Sequence, residues 1–104
     1  MDAPGQLFTS GIWSVKPGSE AEFIRAWEEF ARWTAGHQPG AGEAHLLQDI
    51  EHPQRFLSIG PWESAESIQA WRSQPEFGAF FAQARQLCDE IQPRTLKLTV
   101  YIPS

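Results

Sequence analysis

Basic residues, cysteine and long apolar runs are all scarce in this chain of 104 residues, and each shortage removes a class of function. Two Lys and six Arg stand against thirteen Asp and Glu, for a net charge of −5. So few scattered cations cannot form a face that follows a phosphate backbone, which argues against nucleic acid as a partner. The single cysteine, Cys88, excludes an intramolecular disulfide and a cysteine-based zinc site. The three His lie in three separate segments with no helical i, i+4 pair, so no metal site is expected. Gly36–Gly42 has no Lys and no strand-to-helix setting, so it is not a phosphate loop. No apolar stretch approaches the ~18 residues that span a bilayer. The opening Met1-Asp2-Ala3-Pro4-Gly5 lacks the features of a secretion signal. The expectation is one cytoplasmic domain over residues 1–104, with no membrane partner.

Aromatic residues are plentiful: five Trp, seven Phe and one Tyr. Most should fill a core, and the surplus suits a pocket or an interface. Leu7–Val15 reads as a strand with Trp13 and Val15 on one face and Phe8 and Ile12 on the other. Pro17-Gly18 ends it. Ser19-Glu20-Ala21-Glu22 has the form of a capping box and predicts a helix over Ser19–Thr34, with Phe23, Trp27 and Phe30 on its apolar stripe. Glu43–Ile50 and Arg55–Trp62 read as a hairpin around the polar turn 51–54. A short helix is predicted over Ser64–Ser73, and Pro75 restarts a second one. The stripe Phe77, Phe80, Phe81, Ala84, Leu87, Cys88, Ile91 carries that helix to Pro93. Arg94–Ile102 alternates as a final strand.

The order β-α-β-β-α-β is the ferredoxin-like split βαβ pattern, an α+β fold whose four-stranded antiparallel sheet has helices on one face. The strands carry apolar groups on both faces: Leu57 and Ile59 oppose Phe56 and Trp62, and the final strand adds aliphatics on one side. Helices cover only one face, so a homodimer joined through the sheets is expected.

Val15-Lys16-Pro17-Gly18-Ser19-Glu20-Ala21-Glu22-Phe23 resembles the antibiotic biosynthesis monooxygenase family. So does the stretch from Asp49 to Phe77, with Arg55-Phe56, Pro61-Trp62-Glu63-Ser64 and Ala70-Trp71-Arg72-Ser73-Gln74-Pro75-Glu76-Phe77. The resemblance implies a dimeric α/β barrel with a pocket in each subunit between sheet and helices. It also implies oxidation of polycyclic phenols or quinols by dioxygen without a cofactor, although many relatives have no established activity. A haem-degrading branch of the fold has a first-strand Asn, a Trp ending the third strand and a haem-ligating His on the next helix. Trp62 matches the Trp. The chain has no Asn at all and no His after His52, so haem is not expected.

Cofactor-free oxygenation needs a substrate anion, donors to hold its charge, and a dry pocket. His45, placed mid-strand and expected half-buried, is the candidate base. The Trp62 indole is the candidate donor. Trp13, Trp71, Phe77 and Phe81 are the candidate aromatic lining, and Arg72 would pair with Glu66, Glu76 or an anionic substrate. His37 and His52 fall in polar loops. Cys88, on the apolar stripe, should be an unreactive thiol. Two competing readings remain: a cyclase or isomerase on the same fold, and a non-catalytic small-molecule-binding module.

Overall fold

The computed structural model describes residues 4–104. Four strands, β1 (Leu7–Val15), β2 (His45–Gln48), β3 (Arg55–Trp62) and β4 (Cys88–Lys97), form one sheet in the order β2-β3-β1-β4. Every pairing is antiparallel. Three helices complete the fold: α1 (Glu20–His37), α2 (Ala65–Arg72) and α3 (Pro75–Arg85). This is the ferredoxin-like α+β arrangement that the element order predicts. Among the described residues no helix is long and apolar enough to cross a membrane.

The core lies between sheet and helices. Trp13 and Val15 of β1, Phe56 of β3, Phe23 of α1 and Ala84 of α3 are buried together. Phe23 stacks at a tilt on both Trp13 and Phe56, with ring centroids 5.2 and 5.0 Å apart.

α1 runs on to His37, read from sequence as a loop residue, and β2 is shorter than Glu43–Ile50; two further local predictions fail for an identifiable reason. Ser19 makes no side-chain cap on α1. The turn Lys16-Pro17-Gly18-Ser19 closes through Ser19 N–H to the Lys16 carbonyl (3.0 Å), with Gly18 at φ +87°. That turn delivers Ser19 at φ −101°, ψ 10°, not in the extended form that aims a hydroxyl at the helix. Ser64 shows the contrast: at φ −159°, ψ 164° its Oγ accepts the Ser67 N–H at 3.1 Å and caps α2.

The second failure is the boundary between α3 and β4. The helix stops at Arg85, ahead of Ile91, and the strand runs from Cys88 to Lys97, leaving Leu98–Ser104 outside any element. A β-bulge explains the misleading spacing. Ser14 pairs with Glu90 while Val15 pairs with Cys88, so two steps on β4 match one on β1. Cys88 and Ile91, three apart, therefore both pack against the core, a spacing that imitates a helix. Pro93 then sits inside the strand, which is tolerated because β4 is an edge. The β2–β3 turn is pinned by Asp49, whose Oδ1 accepts the N–H groups of Glu51 (2.8 Å) and His52 (3.1 Å). Those two bonds hold its carboxyl below the ordinary range.

Candidate functional site

Small residues make the floor of a cavity at the centre of the sheet. On the helix-facing side of β1, Thr9 and Gly11 lie between Leu7 and Trp13. On β3, Ser58 and Gly60 lie between Phe56 and Trp62. Gly11 and Ser58 face each other in register. A side chain at Gly11 would place its Cβ 2.8 Å from Trp13 Nε1 and 3.1 Å from Ser58 Oγ. The absent side chain is what lets the Trp13 indole N–H reach across and donate to Ser58 Oγ at 2.9 Å. The volume left above the floor is about 370 Å³ and is lined from β1, α1, the segment before β2, β3, α2, α3 and β4. That is within the usual range for small-molecule sites.

Aromatic rings form a continuous wall. Trp62 meets Trp71 at 4.7 Å between centroids, Trp71 meets Phe77 edge-on at 4.7 Å, Phe77 stacks on Phe81 at 5.6 Å, and Phe81 meets Trp13 at 5.8 Å. All five line the cavity. Sequence reasoning therefore names the aromatic wall, and the structure brings these rings together.

The polar roles fall differently. Trp62 is buried, and its indole N–H donates to Thr9 Oγ1 at 3.0 Å, so it is not free for a ligand. Trp71 donates to Thr34 Oγ1 at 2.9 Å, and that hydroxyl passes its own proton to the Phe30 carbonyl. Three indole N–H groups are thus committed to three hydroxyls. The hydroxyls of Thr9 and Ser58 accept these bonds, and neither donates to another described residue. Each therefore has a proton to offer to the cavity. Accepting an indole N–H also polarises the O–H, which makes it a better donor.

His45 is not half-buried, and it is not in the cavity. It opens the edge strand β2 opposite Ile59, on the sheet face away from the helices. Its side chain is 58% exposed, with Nε2 3.8 Å from Glu43 Oε2. An edge strand of four residues leaves it open to water, where the pattern suggested a longer, half-covered strand. Arg72 lines the cavity but pairs with neither Glu66 nor Glu76; its Nη2 donates to Thr95 Oγ1 at 3.1 Å. Cys88 begins β4, not a helical stripe, and burial, helped by the Asp89 charge, pushes its thiol up to about 11. Among the described residues no group of three or more His, Cys, Asp or Glu could hold a metal ion.

The floor is the part that the sequence reading missed. Its signal was present: Phe56-Leu57-Ser58-Ile59-Gly60 sets two small residues on the buried side of an otherwise bulky strand.

A family model described as antibiotic biosynthesis monooxygenase matches residues 11–83. The chain belongs to the antibiotic biosynthesis monooxygenase family. The matched region contains Gly11, Trp13, Ser58, Trp62, Trp71 and Arg72, although Thr9 and Thr95 lie outside it. Among solved structures, the cofactor-independent oxygenase SnoaB from Streptomyces nogalater superposes with a TM-score of 0.87 at 20% identity, over 96% of this chain and 99% of that one. A conserved protein from Methanosarcina mazei gives a TM-score of 0.80 at 17% identity, over 88% and 91%. At these identities the likeness is one of fold. Protein SchA of Streptomyces halstedii is 32% identical over 62 residues, 60% of this chain. This chain's match spans only 16% of SchA's length.

Proposed function

We propose that this family member is a cofactor-independent monooxygenase that oxidises a hydroxylated aromatic or quinol-type small molecule with dioxygen. The observation that carries the reading is the pair of uncommitted hydroxyl protons, on Thr9 and Ser58, under an aromatic-walled cavity. A flat polycyclic substrate stacks on the rings and sets its oxygen on this floor. Loss of the substrate's acidic proton leaves charge on that oxygen, and donors already in place stabilise it without reorganising. The electron-rich ring then reduces dioxygen. A C–O bond forms at the activated carbon and water leaves, so that CH₂ and O₂ become C=O and H₂O.

Among the described residues no His lines the cavity; of the two carboxylates that do, Glu28 is paired with Arg32 and Glu43 is an open surface group. The reaction therefore relies on the acidity of the substrate, with the proton released to water at the mouth. The same lack of a dedicated base favours a second reading, a binding module that holds such molecules without oxidising them. The SnoaB likeness in fold favours the first.

The protein works as a homodimer in this account. Ile12, Leu47, Leu57 and Leu96 are exposed on or beside the sheet face turned away from the helices, and Val100, Tyr101 and Ile102 are exposed beyond β4. A second copy covers such a face with one self-complementary contact.

The test is turnover of a panel of anthrones and naphthohydroquinones under air and under nitrogen. Product that requires dioxygen and carries its label from ¹⁸O₂ supports the oxygenase. Conversion under nitrogen identifies a cyclase or isomerase. Tight binding without turnover across the panel identifies the binding module.

A further inference from the structure

Among the described residues, one of the two cations that line the cavity has no carboxylate partner. Four of the described charged residues line it: Glu28, Arg32, Glu43 and Arg72. Arg32 Nη2 sits 2.6 Å from Glu28 Oε2, and Glu43 faces His45. Arg72 has no carboxylate within ion-pair distance among the described residues, in a chain whose net charge is −5. One hydrogen bond ties it to the sheet. It ends α2, and its guanidinium spans to the helix-facing side of β4, where Thr95 Oγ1 takes one of its five N–H groups. Thr95 is the register partner of Thr9, so the residue that holds the guanidinium stands about one strand spacing, roughly 5 Å, from the hydroxyl floor. Beyond Arg72 an adjoining open cleft is lined by Phe77, Phe81, Pro93, Arg94 and Thr95, with no acidic residue among the described residues of its lining.

A helix-terminal arginine is ordinarily a solvated partner of the helix dipole. This one is solvated too, but it also lines both cavities together with Phe77 and Phe81. We propose that Arg72 is an anion anchor and that the ligand is an aromatic acid. Its reacting oxygen meets Thr9 and Ser58 while a carboxylate, one substituent away, meets Arg72. Thr95 is the positioning residue that keeps the guanidinium across the mouth. This specificity rests on the proposed oxidation site but is separable from it, because it concerns binding and not turnover.

The probes are 3-hydroxy-2-naphthoate and its neutral carboxamide at pH 7, with affinity read by tryptophan fluorescence and calorimetry on the full chain. The acid is expected to bind about tenfold more tightly than the amide, the gain of one charge-assisted hydrogen bond. Arg72→Gln should erase that preference, so that acid and amide bind the variant equally. Thr95→Val, which keeps the charge, should reduce the preference without erasing it. Raising salt should weaken the acid alone. Equal affinity of acid and amide for the native protein, or a preference that survives Arg72→Gln, overturns the assignment. Failure of the oxygenase reading shows up separately, as no dioxygen consumption with either probe or with the quinol panel.

Discussion

The two faces of the central sheet are built from the same strands, yet they solve different problems. Toward the helices, Trp13, Phe56, Ser58 and Trp62 are each 9% exposed or less, and every buried polar atom described has a partner. On the other face, Ile12, Leu57 and Leu47 are 39%, 37% and 53% exposed, and His45 lies open among them. The first face is finished within one chain, and its few gaps are deliberate ones where Thr9, Gly11, Ser58 and Gly60 leave room above the floor. The second face is apolar without being closed. The proposed chemistry lies on the first face and the proposed association on the second, and substitutions on each should separate the two roles.

The largest effect is expected inside. Phe23 is fully buried between Trp13 and Phe56, and Phe23→Ala should cost about 3–5 kcal/mol in urea unfolding. If Phe23→Ala costs no more than Leu57→Ala does in the isolated monomer, the distinction between a closed and an open face fails. The next effect is one of assembly. Leu57→Asp places a charge on the outer face and should leave the chain folded, while sedimentation at micromolar concentration reports the mass of one chain in place of two. A native protein that already sediments as a monomer would remove the homodimer from the account.

A smaller effect concerns pH. The Cys88 thiol is raised to about 11, first by burial and then by Asp89, with Lys16 opposing. A raised pKa favours the protonated form in the folded state. Its contribution to stability is thus full below the unfolded thiol's pKa of about 8.5 and is lost as pH rises through about 11. Stability should fall across that window, less so in Cys88→Ala, and alkylation at pH 8 should be slow until the chain is unfolded. Rapid alkylation of the folded protein would contradict a protected thiol.

Much of this architecture was legible in the residues. Alternation in Leu7–Val15 and Arg55–Trp62 assigned the correct side chains to each face, because a strand's period of two leaves no choice once Trp13 and Phe56 are buried. The aromatic wall followed from that face together with helical residues, Trp71 of α2 and the stripe with Phe77 and Phe81 in α3. What was not legible depended on partners distant in sequence. The bulge that starts β4 at Cys88 exists only because β1 offers an edge to pair with. The exposure of His45 depends on where a four-residue edge strand ends. The commitment of the Trp62 indole to Thr9 spans 53 positions in sequence, and no local pattern announces it.

The comparison of faces is tested most directly by one paired turnover measurement, on whichever quinol of the panel the native protein oxidises fastest. Ser58→Ala and His45→Ala are compared at saturating substrate, on samples shown by circular dichroism to be folded. Ser58→Ala removes one of two floor donors and should lower kcat about 10²-fold. His45→Ala, on the opposite face, should leave it within about twofold, as for a surface substitution. A large loss with His45→Ala and none with Ser58→Ala would place the chemistry on the wrong side of the sheet and contradict the account.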